Sequence, residues 1–178
     1  MRLKNDGDHY LMCLLSLPDK SKVSKFDIML GELNEEQIES LLMTVPVGRI
    51  GCHADGVTYI IPINYVYNGL YVYAHSSKGM KIDMMRKNPE VCFQADDIQD
   101  LLNWESVVAW GKFEEITDMQ EKEYAMQKII NHIMPLMDSK TAQPSHGFTN
   151  SASDIGNDTE LILYKISLNK KTGRFERG

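Results

Sequence analysis

The sequence predicts a mainly β protein, a small antiparallel β-barrel with appended helices. Three observations predict it. Asp55-Gly56 and Asn68-Gly69 each separate two apolar, β-branched runs, and both dipeptides tolerate the positive φ that tight hairpins need. Two such hairpins in succession imply an antiparallel meander rather than a strand–helix–strand unit. The run Ser106–Ile116 is long and rich in valine and aromatic residues, which suit a strand. About six strands joined mostly by hairpins fit a barrel, which leaves no exposed strand edges.

The elements follow in chain order. Residues 1–33 read as an N-terminal extension that packs on the domain or on a partner subunit; the domain itself covers residues 34–178. Asn34-Glu35-Glu36-Gln37 is a helix start with the spacing of a capping box. Ile38, Leu41 and Leu42 form its apolar stripe, and Pro46 closes it. Strands are expected over Val47–His53, Val57–Tyr67 and Leu70–His75. In the third, the tyrosines and His75 share one face while Val72 and Ala74 share the other. A helix runs from about Lys78 to the stop at Asn88-Pro89, with Met80, Met84 and Met85 packing on the sheet. Val91–Ala95 is the next strand. Gly111, inside the long strand that follows, marks a bulge or a close approach of a ligand or another backbone. Asp118 caps a further helix whose broad apolar face runs from Ala125 or Met126 through Ile129, Ile130, Ile133 and Met134 to Met137. Residues 139–158 read as a long loop, Leu161–Leu168 as a closing strand, and Asn169–Gly178 as a basic, polar tail.

Bulk properties narrow the function classes. At 178 residues the chain can bury a real core. Its net charge of −6 argues against a surface that coats nucleic acid or an anionic membrane. The apolar runs are too short to span a bilayer, and the N-terminus lacks the pattern of a secretion signal. Cys13, Cys52 and Cys92 are odd in number with no paired spacing, which disfavours disulfides and a zinc site and suggests reduced thiols in the cytoplasm. Cys52 and Cys92 fall in apolar strands and read as buried small hydrophobes. There is no Walker loop, dinucleotide fingerprint or nucleophile elbow, and the histidines lack metal-ligand spacing.

Two constellations could carry chemistry. The stretch from His75 to Lys81 joins a strand to a helix start. A helix start offers unpaired N–H groups and partial positive charge to an anion. Ser76 and Ser77 add hydroxyls, and Lys78 and Lys81 add charge one turn apart. The same residues also fit an ordinary capped helix with solvated lysines, and His75 a barrel-wall side chain. Pro62 and Asn64 are the second constellation. A proline inside an apolar strand demands a point that is unpaired on one side. Asn64, facing the same way, is costly if buried without partners; the edge of a planar heterocycle or a bulge bonded to the backbone would satisfy it. Together these features describe a pocket for a flat, phosphorylated cofactor.

The segments Val47-Gly48-Arg49-Ile50-Gly51, Ile61-Pro62-Ile63-Asn64-Tyr65, Tyr73-Ala74-His75-Ser76, Gly79-Met80-Lys81, Lys87-Asn88-Pro89-Glu90-Val91-Cys92-Phe93 and Ser106–Phe113 occur in a telling order and spacing. In this the chain resembles the pyridoxamine 5′-phosphate oxidase-like flavoproteins, and most of all their nitroimidazole-resistance reductase type. The likeness covers about residues 35–168. It implies a six-stranded antiparallel split barrel of Greek-key type, forming a homodimer that binds FMN at the subunit interface. Carried over by position, Tyr59, Ile60, Ile61, Pro62, Ile63 and Asn64 would line the flavin ring, mainly through backbone groups. His75 and Ser76 would sit near the ribityl chain and phosphate, with Lys81 on the phosphate and Lys78 as its helper. Ser106 stands where oxidase relatives carry a glutamine near the flavin; Trp110 would be close by, and Arg49 and Gly51 lie on the strand that approaches the flavin from one subunit. Met80 replaces an arginine that true pyridoxamine phosphate oxidases carry, and their C-terminal substrate motif is absent, so vitamin B6 oxidation is not expected. The function so implied is reduction of small molecules such as nitro compounds with electrons from NAD(P)H. The alternative is a non-catalytic flavin- or haem-binding module of the same barrel.

Overall fold

The structure, a computed structural model, describes residues 29–136 and 161–178. The sheet begins with β1 (Met29–Glu32), the end of the extension. Asn34 then caps α1 (Glu35–Thr44): its side chain accepts from Gln37 N–H, and the Gln37 side chain accepts from Asn34 N–H, each at 2.9 Å. The reciprocal pair satisfies two helix-end donors. Ile38, Leu41 and Leu42 are buried on the face that the spacing predicted.

β2 (Val47–Ala54) and β3 (Val57–Asn64) form the first hairpin. Asp55 and Gly56 both take positive φ, 52° and 78°, as a two-residue hairpin turn requires. The expected strand Val57–Tyr67 is broken. Tyr65 leaves the ladder, its hydroxyl donating to the Leu42 carbonyl at 3.0 Å, and Val66–Tyr67 forms a separate strand, β4. β4 pairs with β5 (Tyr71–Ser76), whereas β3 does not; the simple meander is therefore replaced by two hairpins on opposite edges of the sheet. The break lets one chain segment cross from one edge to the other.

α2 (Met80–Lys87) ends where Asn88 and Pro89 stop it. Ile82, Met84 and Met85 are buried; Met80, expected among them, is 54% exposed because it occupies the first turn facing solvent. β6 (Glu90–Ile98) and β7 (Trp104–Glu115) are longer than expected, and β6 pairs along its whole length with Trp104–Lys112 of β7. The register against the next strand shifts between Trp110 and Gly111, the predicted bulge. A Cβ at Gly111 would lie 2.1 Å from the Ser167 carbonyl oxygen, so the close approach is to a neighbouring backbone.

α3 (Met119–Ile133) starts at Asp118, whose carboxylate accepts from Glu121 N–H at 2.8 Å. Ala125, Met126, Ile129 and Ile133 are buried, Met134 is exposed, and Met137 and the 139–158 loop lie outside the described residues. The polar tail is a strand. β8 (Ile162–Arg177) runs through it, pairing with β7, β5 and β1. Its lysines and arginines lie along the ladder, several held by acids from other elements: Lys165 by Glu121, Lys171 by Glu39 and Arg177 by Glu105. Polarity signals a solvated face here, not an end of structure.

The sheet order is β3-β2-β6-β7-β8-β5-β4, with β1 added on β8. All neighbours are antiparallel. The six long strands are those anticipated; β1 and β4 are short additions. Only Tyr65 separates the two edge strands β3 and β4 in sequence, so the sheet must curl until its edges meet. The main core fills the curl with Ile50, Phe93, Tyr65, Ile82, Met85 and Tyr164. A second core lies between α3 and β5, where Tyr73 and Leu163 meet Met126 and Ile129. The two faces of β5 thus divide as expected, Val72 and Ala74 to the first core and Tyr71 and Tyr73 to the second. Among the described residues no helix is long and apolar enough to cross a membrane.

Candidate functional site

The split between β3 and the β5–α2 junction opens a groove of about 500 Å³. One wall is β3. As the edge strand it pairs only with β2, so its outer backbone groups have no strand partner. This explains Pro62, which needs no donor on a free edge. The groove is lined here by Tyr59, Ile61, Pro62, Ile63 and Asn64. Asn64 is exposed at the mouth rather than buried, which removes the penalty considered from sequence.

The other wall is the turn from β5 into α2, with His75, Ser76, Ser77, Lys78, Gly79, Met80 and Lys81. Gly79 is the N-cap of α2 and provides no side-chain cap, so the N–H groups of the first turn remain available to an anion. The Ser76 hydroxyl donates to the Ser77 carbonyl at 2.8 Å and is committed to the loop. Lys78 precedes the helix, so the two lysines do not share a helical face; both nevertheless line the groove.

Lys81 is the half-buried cation of the site. Burial lowers its pKa below the usual lysine value, and the neighbouring Cys52 pulls it partly back up. Its ammonium stands 5.7 Å from the centre of the Tyr164 ring, a cation–π distance. Tyr164 is fully buried, and its hydroxyl has no hydrogen-bond partner among the described residues. Burial also raises the Tyr164 and Cys52 pKa values, so both stay neutral at physiological pH. Lys81 thus lies over a floor of neutral groups that compete little for its charge, and it is positioned to meet an anion entering from the groove. Sequence reasoning missed Tyr164 and Cys52 as this floor: they lie on β8 and β2, and no local motif joins them to Lys81.

The remaining anticipated residues lie elsewhere in the single chain. Arg49, Ile60 and Trp110 border a second cavity of about 460 Å³ on the outer face of the sheet, together with Gly51, Cys92 and Gln94. Cys92 is therefore half-buried, whereas Cys52 is buried as expected. Arg49 stands opposite Pro62 across the β2–β3 ladder, one strand from the groove, whereas Ser106 and Trp110 are on β7, three strands from β3. A polar network holds Arg49: it donates to Asp96 at 2.8 and 3.1 Å, and Gln94 donates to Asp96 at 3.0 Å and to the Ser106 hydroxyl at 3.2 Å. Among the described residues no group of three or more His, Cys, Asp or Glu side chains is placed to hold a metal ion.

Comparison with known proteins fits this geometry. A family model described as pyridoxamine 5′-phosphate oxidase matches residues 34–174. An uncharacterized protein of Rhizobium meliloti is 28% identical over 144 residues, 80% of this chain and 92% of that protein. The crystal structure of an FAD-binding protein from Mesorhizobium loti aligns with a TM-score of 0.67 at 24% identity, covering 85% of this chain and 99% of that one. A candidate 5-nitroimidazole antibiotic resistance protein from Bacteroides thetaiotaomicron aligns with a TM-score of 0.62 at 24% identity, covering 84% and 89%. At these identities the two structures show a shared fold.

Proposed function

The chain belongs to the pyridoxamine 5′-phosphate oxidase family, and from that premise we propose that it is a cytoplasmic FMN-dependent oxidoreductase. It works as a homodimer and reduces small molecules such as nitro compounds with electrons from NAD(P)H. The observation that carries this reading is one groove holding both an uncapped helix N-terminus beside Lys81 and the unpaired edge of β3. The first suits a phosphate, the second the donor and acceptor edge of a flat heterocycle.

FMN, when bound, supplies the electron transfer; the protein supplies binding and orientation. Lys81 and the N–H groups of α2 neutralise the phosphate. His75 and Ser76 lie between that seat and the ring wall. Tyr59, Ile61 and Ile63 give the ring an apolar surface, which excludes water from one side. The structures named above include an FAD-binding protein; FMN is favoured here because the anion seat is compact, with two lysines close to one helix start. The outer-face positions of Ser106 and Trp110 support the dimer, since a second subunit is needed to bring such a face against a groove.

The visible spectrum of the purified protein tests the reading. A flavin spectrum, bleached by NADPH and restored by a nitro compound, is expected. A protein that is colourless and does not take up FMN contradicts it, and a bound flavin that NADPH fails to bleach leaves the binding-module alternative.

A further inference from the structure

Five lysines of the described residues stand over aromatic rings. Lys128 and Lys170 are exposed, and solvent reaches their ammonium groups. The other three are half-buried, and two of these are built alike. The Lys165 ammonium is 5.2 Å from the centre of the Tyr71 ring and 2.8 Å from the Glu121 carboxylate. The Lys171 ammonium is 5.6 Å from the centre of the Tyr67 ring, donates to its hydroxyl at 3.1 Å and is paired with Glu39. In each case a tyrosine and a carboxylate hold one partly desolvated charge, and the carboxylate neutralises it.

Lys81 has the first half of that arrangement without the second. Its ammonium is 5.7 Å from the centre of the Tyr164 ring, and no carboxylate among the described residues pairs with it. The groove itself is lined by no acidic side chain among the described residues. The ring beneath Lys81 is rigidly held. Tyr164 is fully buried, and Phe113 packs on it with ring centres 5.4 Å apart. On β8 Tyr164 pairs with Ala74 of β5, two residues before Ser76. Phe113 N–H donates to the Pro89 carbonyl at 2.9 Å, just beyond the end of α2. One aromatic pair is thus tied both to the strand that enters the anion seat and to the segment that leaves its helix. The Tyr164 hydroxyl has no partner among the described residues, so the ring alone acts on the ammonium. A ring face attracts a cation without neutralising it. A carboxylate in its place would hold Lys81 equally well and repel an incoming phosphate.

We infer that Tyr164 is the positioning residue of the anion seat: its ring holds the Lys81 ammonium in place, and the phosphate of the ligand takes the position that Glu121 and Glu39 take at the other two lysines. The inference rests on the FMN site proposed above and names the residue, distant in sequence, that readies its cation. A lysine ordered before the ligand arrives spares the binding step the cost of ordering it.

Two measurements test this role. In flavin fluorescence titrations Tyr164→Leu should bind FMN about 2- to 10-fold more weakly than wild type, the cost of ordering one long side chain, with riboflavin unchanged. Tyr164→Phe keeps the ring and should restore the FMN affinity. The second measurement uses no flavin. Reductive methylation with isotope-labelled formaldehyde leaves lysines charged. The ring current of residue 164 should move the Lys81 methyl resonance upfield in wild type and in Tyr164→Phe but not in Tyr164→Leu, and Lys81→Met identifies that resonance by its loss. An unshifted Lys81 resonance in the wild-type protein overturns the inference, whether or not Tyr164→Leu folds. Unchanged FMN affinity in Tyr164→Leu, or equal losses for FMN and riboflavin, also overturns it. A loss in Tyr164→Phe as large as that in Tyr164→Leu does the same, since it assigns the effect to the hydroxyl. A shifted resonance in a wild-type protein that takes up no FMN contradicts the FMN site and leaves the hold of the ring on Lys81 established.

Discussion

Replacing Lys81 with methionine should separate binding from stability, and the two effects should have opposite signs. Lys81 is half-buried, and burial already disfavours its charged form. Methionine keeps an unbranched stem of similar length and removes the charge, so it relieves a desolvation cost while filling the same space over Tyr164. The urea midpoint should therefore stay level or rise. FMN binding should weaken, because a hydrogen bond from a charged group contributes ~1.5–3 kcal/mol, or about 10- to 160-fold in affinity. Riboflavin, which lacks the phosphate, serves as the control. Quenching of flavin fluorescence measures both ligands in wild type and variant. The expected result is a large loss for FMN with little change for riboflavin. Equal losses for the two flavins would mean that Lys81 supports the ring wall or the fold, and an unchanged FMN affinity would remove the phosphate from this corner.

Other outcomes follow from the same structure. The affinity for FMN should decline as pH rises through the lowered pKa of Lys81, below the ordinary lysine value of 10.5, and the decline should vanish in Lys81→Met. In the same window, between the lowered folded value and the unfolded value, the unfolded chain binds more protons, so the contribution of Lys81 to stability should rise with pH in FMN-free protein. Gly111→Ala places a Cβ 2.1 Å from the Ser167 carbonyl oxygen and 3.0 Å from Ile166 Cγ2, within a ladder that has no slack. It should cost about 1–3 kcal/mol or more in urea denaturation; a loss under ~0.5 kcal/mol, the scale of ordinary surface changes, would show that the bulge can open. Asn34→Ala removes a cap that accepts from Gln37 N–H and should cost about 1 kcal/mol, with Asn34→Gly closer to wild type.

Local chemistry made much of this fold legible. The capping box at Asn34, the Asp55-Gly56 turn, the Asn88-Pro89 stop, the Asp118 cap and the Gly111 bulge all depend on residues near one another in sequence, and each is where it was expected. The errors arose where distant partners decide. Nothing local tells Tyr65 to leave the ladder; its hydroxyl is drawn to Leu42, and the strand breaks to let β4 reach the far edge. Asn169–Gly178 looked like a tail because its lysines and arginines hide a ladder whose partners are β7 and β1. The groove was half legible. The β3 wall and the Ser76–Lys81 turn each carry a local signal, and the curl of the sheet brings them together as anticipated. The neutral groups beneath Lys81, Cys52 and Tyr164, come from strands far apart in sequence and leave no motif.

A crystal structure of the FMN-loaded protein tests the central claim most directly. The phosphate should lie at the first turn of α2, within hydrogen-bond distance of Lys81 Nζ, with the ring along Tyr59–Asn64. A flavin bound elsewhere on the chain, or a groove filled by its own side chains in the loaded protein, would contradict the account.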